Sequence, residues 1–324
     1  MAVTNYSDAA REAVREAMRA DDAVWCIGED LGRGGVFGQY RGLQDEFGPA
    51  RIADAPISEA AIMGAAFGAA MVGTRPIVEM RFSDFALCAV DELVNQAAKA
   101  RYMFGGQTRV PLVVREPIGM WRSSAAQHSQ SLEAWYAHIP GLVVTVPATP
   151  ADNYALLKAA IRSDDPVVHM EHKNLWALSG PAADSDAPAE FGRGIVRQAG
   201  ADITLVTWSA TVWTALDAAA ALGVEGINVE VIDLRTLWPW DRELVLESVS
   251  RTRRALVVHE AVQAGGFGAE IAATIAEELH HRLEGPVRRL GAPRAPVPYA
   301  PPMESELKIT AGDVCKAVKV ALGR

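Results

Sequence analysis

A two-domain α/β fold is what the 324 residues predict, on three observations. Short apolar runs alternate with helical patterns along nearly the whole chain. Runs such as Val110-Pro111-Leu112-Val113-Val114 and Leu142-Val143-Val144-Thr145-Val146 are continuously apolar, as strands of a parallel sheet covered on both faces are. From Ser179 to Glu190 the composition shifts to Gly, Pro, Ala, Ser and Asp, which reads as a linker and divides the chain into domains 1–185 and 186–324.

The first helix is expected over Asp8 to Arg19, with Ala9, Val14 and Met18 on its apolar face. Val24-Trp25-Cys26-Ile27 reads as a strand, and Gly32 to Gly38 as a mobile surface loop without a dinucleotide or Walker pattern. In Asp54-Ala55-Pro56-Ile57-Ser58-Glu59, Pro56 holds Ala55 extended and Ser58 reads as the N-cap of a helix running through Ala70. Glu59 then lies in the first turn, where the helix dipole favours a carboxylate. Gly64 and Gly68 share one face of that helix, and each glycine costs it about 1 kcal/mol relative to alanine, so a close approach by something is expected there.

Further on, Pro76 to Met80 is a strand, and Leu87 to Met103 a helix closed by Gly105-Gly106. Val110 to Arg115, Leu142 to Val146 and Pro166 to Glu171 are strands, with the helix Asp152 to Ile161 among them. The second half repeats the alternation: strands Ile203 to Trp208, Asn228 to Ile232 and Ala255 to His259, and helices Thr211 to Leu222, Asp241 to Val249 and Phe267 to His281. Pro293 to Pro302 reads as extended, and Ala311 to Leu322 as a closing helix.

Composition excludes several functions. A net charge of −9 without a basic tract argues against nucleic acid. No apolar run approaches the ~18 residues of a membrane span. Three scattered cysteines offer neither a disulfide framework nor a metal cluster, and fit a cytoplasmic protein. No serine elbow, HExxH or CxxC motif occurs. Among seven histidines His128 stands out, flanked by Gln127, Ser129 and Gln130 after a loop, where an oriented imidazole can move protons. Ser129 as a helix cap accounts for part of that setting. Phe85 is a core residue or a platform for a flat ring, and Glu59 a dipole complement or a working acid. The residues alone leave both open.

Taken together, the stretches resemble the beta subunit of the first component of 2-oxo acid dehydrogenase complexes of the pyruvate, branched-chain and acetoin type. The resemblance is carried by Asp54 to Glu59, Glu79 to Phe85, Asn95 to Met103, Gln127-His128-Ser129-Gln130-Ser131, His138 to Leu142 and Asp164 to Val168. It continues in Asp233-Leu234-Arg235-Thr236, His259-Glu260-Ala261 and Gly265-Gly266-Phe267-Gly268, and so spans nearly the whole chain. It implies a transketolase-like pyrimidine-binding parallel-sheet domain followed by a transketolase C-terminal-like α/β domain. It also implies thiamine diphosphate as cofactor and oxidative decarboxylation of a 2-oxo acid, or acetoin cleavage, with acyl transfer to lipoamide.

The resemblance further implies roles for single positions. Glu59 would share a proton with a ring nitrogen of the aminopyrimidine and favour its imino tautomer, Phe85 would lie against that ring, and Ile57 and Arg81 would complete the cofactor contact. His128 would line the substrate channel and assist proton or acyl transfer, beside Trp121 and Arg122. Main-chain carbonyls of Leu112, Ala160, Ile161, Ser163 and Asp165 match a potassium site. The Gly64–Ala69 face would meet another subunit. Three departures fall near the implied substrate entrance: Ala55 for the usual threonine, Arg81 for methionine or glutamine, and Met120-Trp121-Arg122-Ser123-Ser124 for a run of glycine and small residues. Magnesium is held in the family by a Gly-Asp-Gly motif that these 324 residues lack. The expectation is therefore an alpha subunit carrying that half, an α2β2 assembly, and a lipoyl acyltransferase partner. The competing readings are half of a split transketolase-like enzyme acting on sugars, and a non-catalytic nucleotide-binding or scaffold protein.

Overall fold

The computed structural model describes residues 2–183 and 189–324. It divides into two compact units, Met1–Ile118 with Trp135–Phe191, and Gly119–Ala134 with Gly192–Arg324. The expected boundary between 185 and 186 lies outside the described residues. Part of the expected linker is ordered: Ser179–Pro181 is a strand paired antiparallel with Val3–Asn5.

In the first unit six strands run parallel in the order Val143–Thr145, Val167–His172, Val113–Ile118, Arg75–Glu79, Val24–Gly28 and Ile52–Asp54. Every residue of Val113–Ile118 and Val167–His172 is buried, as expected at the centre of a parallel sheet covered on both faces, although only the first two residues of each strand continue the apolar run. The helix Tyr6–Ala20 starts where Asn5 accepts the Asp8 N–H at 2.7 Å. Its apolar face, Ala9, Ala13, Val14 and Met18, packs with Leu157, Ile161, Val24 and Ile77 in one core.

That unit also buries charge. Arg115 is fully buried and binds Glu171 through Nε at 2.8 Å and Nη2 at 2.6 Å, with Glu79 at 3.5 Å. Tyr40 donates to Glu79 at 2.9 Å, and Asn153 donates to Glu171 at 2.9 Å. His169 completes the net between Asn153 and Thr145, each at 2.7 Å. Burial pushes Glu79 up to about 7, while Arg115 and the hydrogen bonds around it hold Glu171 below the usual carboxylate range against its own burial.

The second unit carries a five-stranded sheet in the order Arg288–Ala292, Ala255–Val262, Ile203–Thr207, Val229–Asp233 and Ile195–Gln198. Only the last strand runs antiparallel to its neighbour. Helices Thr211–Val224 and Ala311–Ala321 pack on it through Ala215, Ala219, Leu222, Val314 and Val318. Two of these strands, Ile195–Gln198 and Arg288–Ala292, each carry an adjacent pair of polar residues and escape the apolar-run criterion. The stretch expected to be extended at Pro293–Pro302 gives way to a helix at Pro301–Leu307, where proline occupies the first helical position. No helix among the described residues is long and apolar enough to cross a membrane.

Candidate active site

Two loops at the carboxyl ends of first-unit strands are knitted together. The Ala55 N–H donates to the Gly28 carbonyl at 2.9 Å, and Asp54 accepts the Gly32 N–H at 2.9 Å. Segment 54–59 is thereby fixed against the turn carrying Glu29 and Asp30. Such carboxyl-end loops are where open α/β sheets place ligands.

The helix Glu59–Met71 begins as expected, but Ser58 does not cap it: its hydroxyl donates to the Pro56 carbonyl at 3.0 Å. The backbone at Ser58 is extended (φ −171°), and the Oγ is drawn back along the preceding turn. The helix N–H groups next to Glu59 therefore lack that side-chain acceptor. Glu59 is half-buried, and no hydrogen-bond or ion-pair partner is found for it among the described residues. Ile57 beside it is 77% exposed.

Glu29, which sequence reasoning did not single out, is 8% exposed and faces the Glu59 charge. Burial pushes its carboxyl above the usual range, Glu59 and Asp30 add to this, and Arg81 opposes it. Arg81 holds Glu29 through Nε at 2.9 Å and is also paired with Asp30. Only the tertiary fold joins residues 29 and 81, so no local pattern announces the cluster.

Phe85 lies in the turn Ser83–Ala86, half-buried, with its ring edge-on to Phe82 at 5.5 Å and 70°. Phe82 is in turn supported by the Lys173 ammonium at 4.4 Å and by Phe37 at 5.8 Å, and Phe37 by Trp176 at 4.5 Å. A platform ring supported by an aromatic cluster suits a flat heterocycle, and a carboxyl without a side-chain partner suits a ring nitrogen that shares a proton.

Trp121, Arg122 and His128 fall in segment 119–134, which groups with the second unit. The Arg122 guanidinium lies over the Trp121 ring at 4.9 Å. Arg122, Ser123 and Ala125 all adopt left-handed backbone, with φ of 48°, 56° and 65°. Such strain in non-glycine residues gathers at functional loops. His128 ends a short turn, Ala126–His128, and is half-buried; Ser129 closes that turn rather than opening a helix.

The five carbonyls matched to a potassium site each accept a hydrogen bond. Leu112 takes the Val167 N–H at 2.9 Å, Ala160 the Ser163 N–H at 3.1 Å, and Asp165 the Ser163 hydroxyl at 2.9 Å. Arg75 Nη1 bridges Ile161 and Ser163 at 3.1 and 2.9 Å. Asp313, nearest to a Gly-Asp-Gly fragment, is engaged in a capping box with Thr310 at the start of Ala311–Ala321.

Comparison with known proteins agrees with the fold. The family profile "Transketolase, pyrimidine binding domain" matches residues 3–177, and "Transketolase, C-terminal domain" residues 192–314. The chain is 42% identical over 322 residues to 2-oxoisovalerate dehydrogenase subunit beta of Bacillus subtilis (strain 168), covering 98% of each. It is 40% identical over 334 residues to the acetoin:2,6-dichlorophenolindophenol oxidoreductase subunit beta of the same organism, covering 99% of this chain and 98% of that one. It is 42% identical over 313 residues to pyruvate dehydrogenase E1 component subunit beta of Rickettsia conorii (strain ATCC VR-613 / Malish 7), covering 96% of each. Among solved structures, a split gene transketolase described as an inactive beta4 tetramer aligns with a TM-score of 0.79 at 25% identity, over 98% of this chain and 97% of that one. The chain belongs to the family of beta subunits of the first component of 2-oxo acid dehydrogenases, the pyruvate, branched-chain and acetoin type, on a transketolase-like fold.

Proposed function

We propose that the chain is the beta subunit of a thiamine-diphosphate-dependent enzyme that decarboxylates a 2-oxo acid, or cleaves acetoin, and passes the acyl group to lipoamide. The observation that carries this is Glu59: a half-buried carboxyl at the start of the helix Glu59–Met71 with no hydrogen-bond or ion-pair partner among the described residues. Bound thiamine diphosphate would supply the electron sink for decarboxylation.

Glu59 holds the proton shared with the aminopyrimidine nitrogen. Phe85 presents its ring to that heterocycle, and Ile57 supplies apolar contact. Arg81 compensates the Glu29 and Asp30 charges, so that these acids coexist near Glu59. His128 moves a proton through its ring nitrogen or assists acyl transfer, and Trp121 with Arg122 sets which acyl group is accepted. Magnesium is held by an alpha subunit in an α2β2 assembly, a lipoyl acyltransferase takes the product, and the enzyme works in the cytoplasm. Residues 1–185 form the pyrimidine-binding domain and 186–324 the C-terminal domain. Potassium on the carbonyls of Leu112, Ala160, Ile161, Ser163 and Asp165 would use their second lone pairs, alongside Arg75.

The split-gene transketolase neighbour favours a second reading, half of a sugar-acting enzyme. One experiment separates them. The chain is purified alone and with a co-expressed alpha subunit, then given magnesium, thiamine diphosphate and an artificial electron acceptor. Turnover of a 2-oxo acid or acetoin is expected from the pair and none from the chain alone. Transfer from a ketose phosphate donor, without 2-oxo acid turnover, would establish the second reading. Turnover by the chain alone would overturn the two-subunit site.

A further inference from the structure

In sequence, segment 119–134 interrupts the first unit, following its strand Val113–Ile118 and ending inside the helix Glu133–Ala137, yet it groups with the second unit. From 119 to 125 it has neither helix nor strand. Its conformation must therefore be imposed from outside, and two attachments do so.

The first is at Met120, whose buried N–H donates to Glu260 Oε1 at 2.6 Å. The second is at Glu133, 2% exposed, whose Oε1 accepts the Trp208 indole N–H at 3.1 Å. Trp208 stacks on His259, with ring centroids 5.1 Å apart and planes at 15°. Both attachments thus end on consecutive residues of one strand, His259 and Glu260 in Ala255–Val262.

The strand end is itself rigid. His259 is fully buried, with Nδ1 at 3.0 Å from the Ala261 carbonyl. Its ring is enclosed by glycine backbone: a Cβ at Gly266, Gly268 or Gly291 would lie 2.7, 2.7 or 2.8 Å from ring atoms. Burial lowers the imidazole to about 4, so the ring is neutral and its Nδ1 proton goes to that carbonyl. Next to Met120, the Gly119 N–H donates to the Gln130 carbonyl at 3.3 Å and closes the base of the loop. The left-handed Arg122, Ser123 and Ala125 form its crown.

We propose that the His259-Glu260 pair is a clamp that positions the substrate loop, making Glu260, Trp208 and Glu133 positioning residues for the groups that select the acyl substrate. This rests on the reading of Trp121, Arg122 and His128 as substrate-facing. It assigns a task to the His-Glu-Ala and Gly-Gly-Phe-Gly stretches: one supplies the fixed acceptor and the stacking ring, the other the space for that ring.

The test compares Glu260→Ala with Glu260→Gln in the assembled enzyme, because the glutamine oxygen still accepts the Met120 N–H. Loss of a hydrogen bond to a charged acceptor is expected to lower kcat/KM for the preferred 2-oxo acid about 10-fold or more in Glu260→Ala, with thiamine diphosphate affinity unchanged. Glu260→Gln should restore it to within about 3-fold, the charge assistance being the part that is lost. Trp208→Phe, which keeps the stack but removes the N–H, should shift kcat/KM in the same direction. Hydrogen exchange read by mass spectrometry gives a readout independent of turnover: the peptide spanning 119–131 should exchange faster in Glu260→Ala and at the parent rate in Glu260→Gln. Unchanged exchange in Glu260→Ala would overturn the clamp. Faster exchange with unaltered kcat/KM would overturn its role in positioning. If the parent enzyme turned over no 2-oxo acid, the functional reading would fail while the exchange result still judged the clamp.

Discussion

Glu59 is decided by its surroundings at the scale of single atoms. A carboxyl in the first helical turn is stabilised by the dipole whether or not it does chemistry. Here it faces Glu29, a like charge that a purely structural acid would gain from avoiding. Glu59→Gln keeps size and polarity but cannot pass a proton. We expect an unchanged melting temperature and a fall in kcat of about 100-fold or more, the usual weight of a positioned acid or base. Activity within a few-fold of the parent, with cofactor bound, would refute the role. Trp121 and Arg122 are a second residue-scale question. The Arg122 guanidinium stacks over the Trp121 ring where the family resemblance leads one to expect glycine and small residues, so Trp121→Gly and Arg122→Ala should redistribute kcat/KM among pyruvate, branched-chain and aromatic 2-oxo acids. An equal loss on every substrate would instead mark the pair as loop scaffolding.

Among elements, the helix Glu59–Met71 is the most informative. Its buried residues are Ile62, Met63, Ala66 and Ala70, while Ala60, Ala61, Ala65 and Gly68 are exposed. The sequence asks for something close to Gly64 and Gly68. Among the described residues, an added Cβ at Gly64 would meet only the Glu92 side chain, at 3.7 Å, and one at Gly68 nothing within 4 Å. The proposed alpha subunit supplies the approach in our reading. Gly68→Ala should then stabilise the isolated chain by roughly 0.5–1 kcal/mol, from helix propensity, while weakening association with the alpha subunit. Calorimetry of the chain and titration with its partner measure the two effects, and tighter assembly would contradict the reading. Gly141 is the opposite case. Its φ is +100°, and an added Cβ would lie 1.9 Å from the Ala98 carbonyl oxygen. Gly141→Ala is expected to cost about 4 kcal/mol or more, seen as loss of soluble, cooperatively unfolding protein.

Across the whole molecule, the buried acids set a pH dependence. Burial pushes Glu116 up to about 8 and Glu79 up to about 7, with Asp84 adding to the first and Glu171 to the second. The Tyr136 hydroxyl facing Glu116 opposes its shift, and Arg115 opposes that of Glu79. In both, the folded state binds the proton more tightly than the unfolded chain. Their contribution to stability is therefore full below the unfolded carboxyl range and is lost as pH rises through 7 to 8. Glu171 has the reverse sign, its contribution being present at neutral pH and lost on acidification. Melting temperature should fall between about pH 5 and pH 8 and level off above that, and Glu116→Gln, which cannot ionise, should flatten that slope. An identical slope in the variant would show that Glu116 is not the titrating group.

The sequence by itself determined the α/β class, the parallel sheet of the first unit and the order of most elements, because continuous apolar runs and helical spacing are local consequences of burial. It also determined the family, through ordered stretches from Asp54 to Gly268. It could not show Ile195–Gln198 or Arg288–Ala292, whose strands carry too much polarity to stand out, nor that Ser58 turns back to Pro56. Tertiary structure alone decided what depends on distant residues. Arg81 reaches Glu29 across about fifty positions, Arg115 finds Glu171, and Met120 is held by Glu260, 140 residues away. Those contacts are fixed by sheet order and loop packing, and a buried charge or a strained loop is stable only where the rest of the fold delivers its partner.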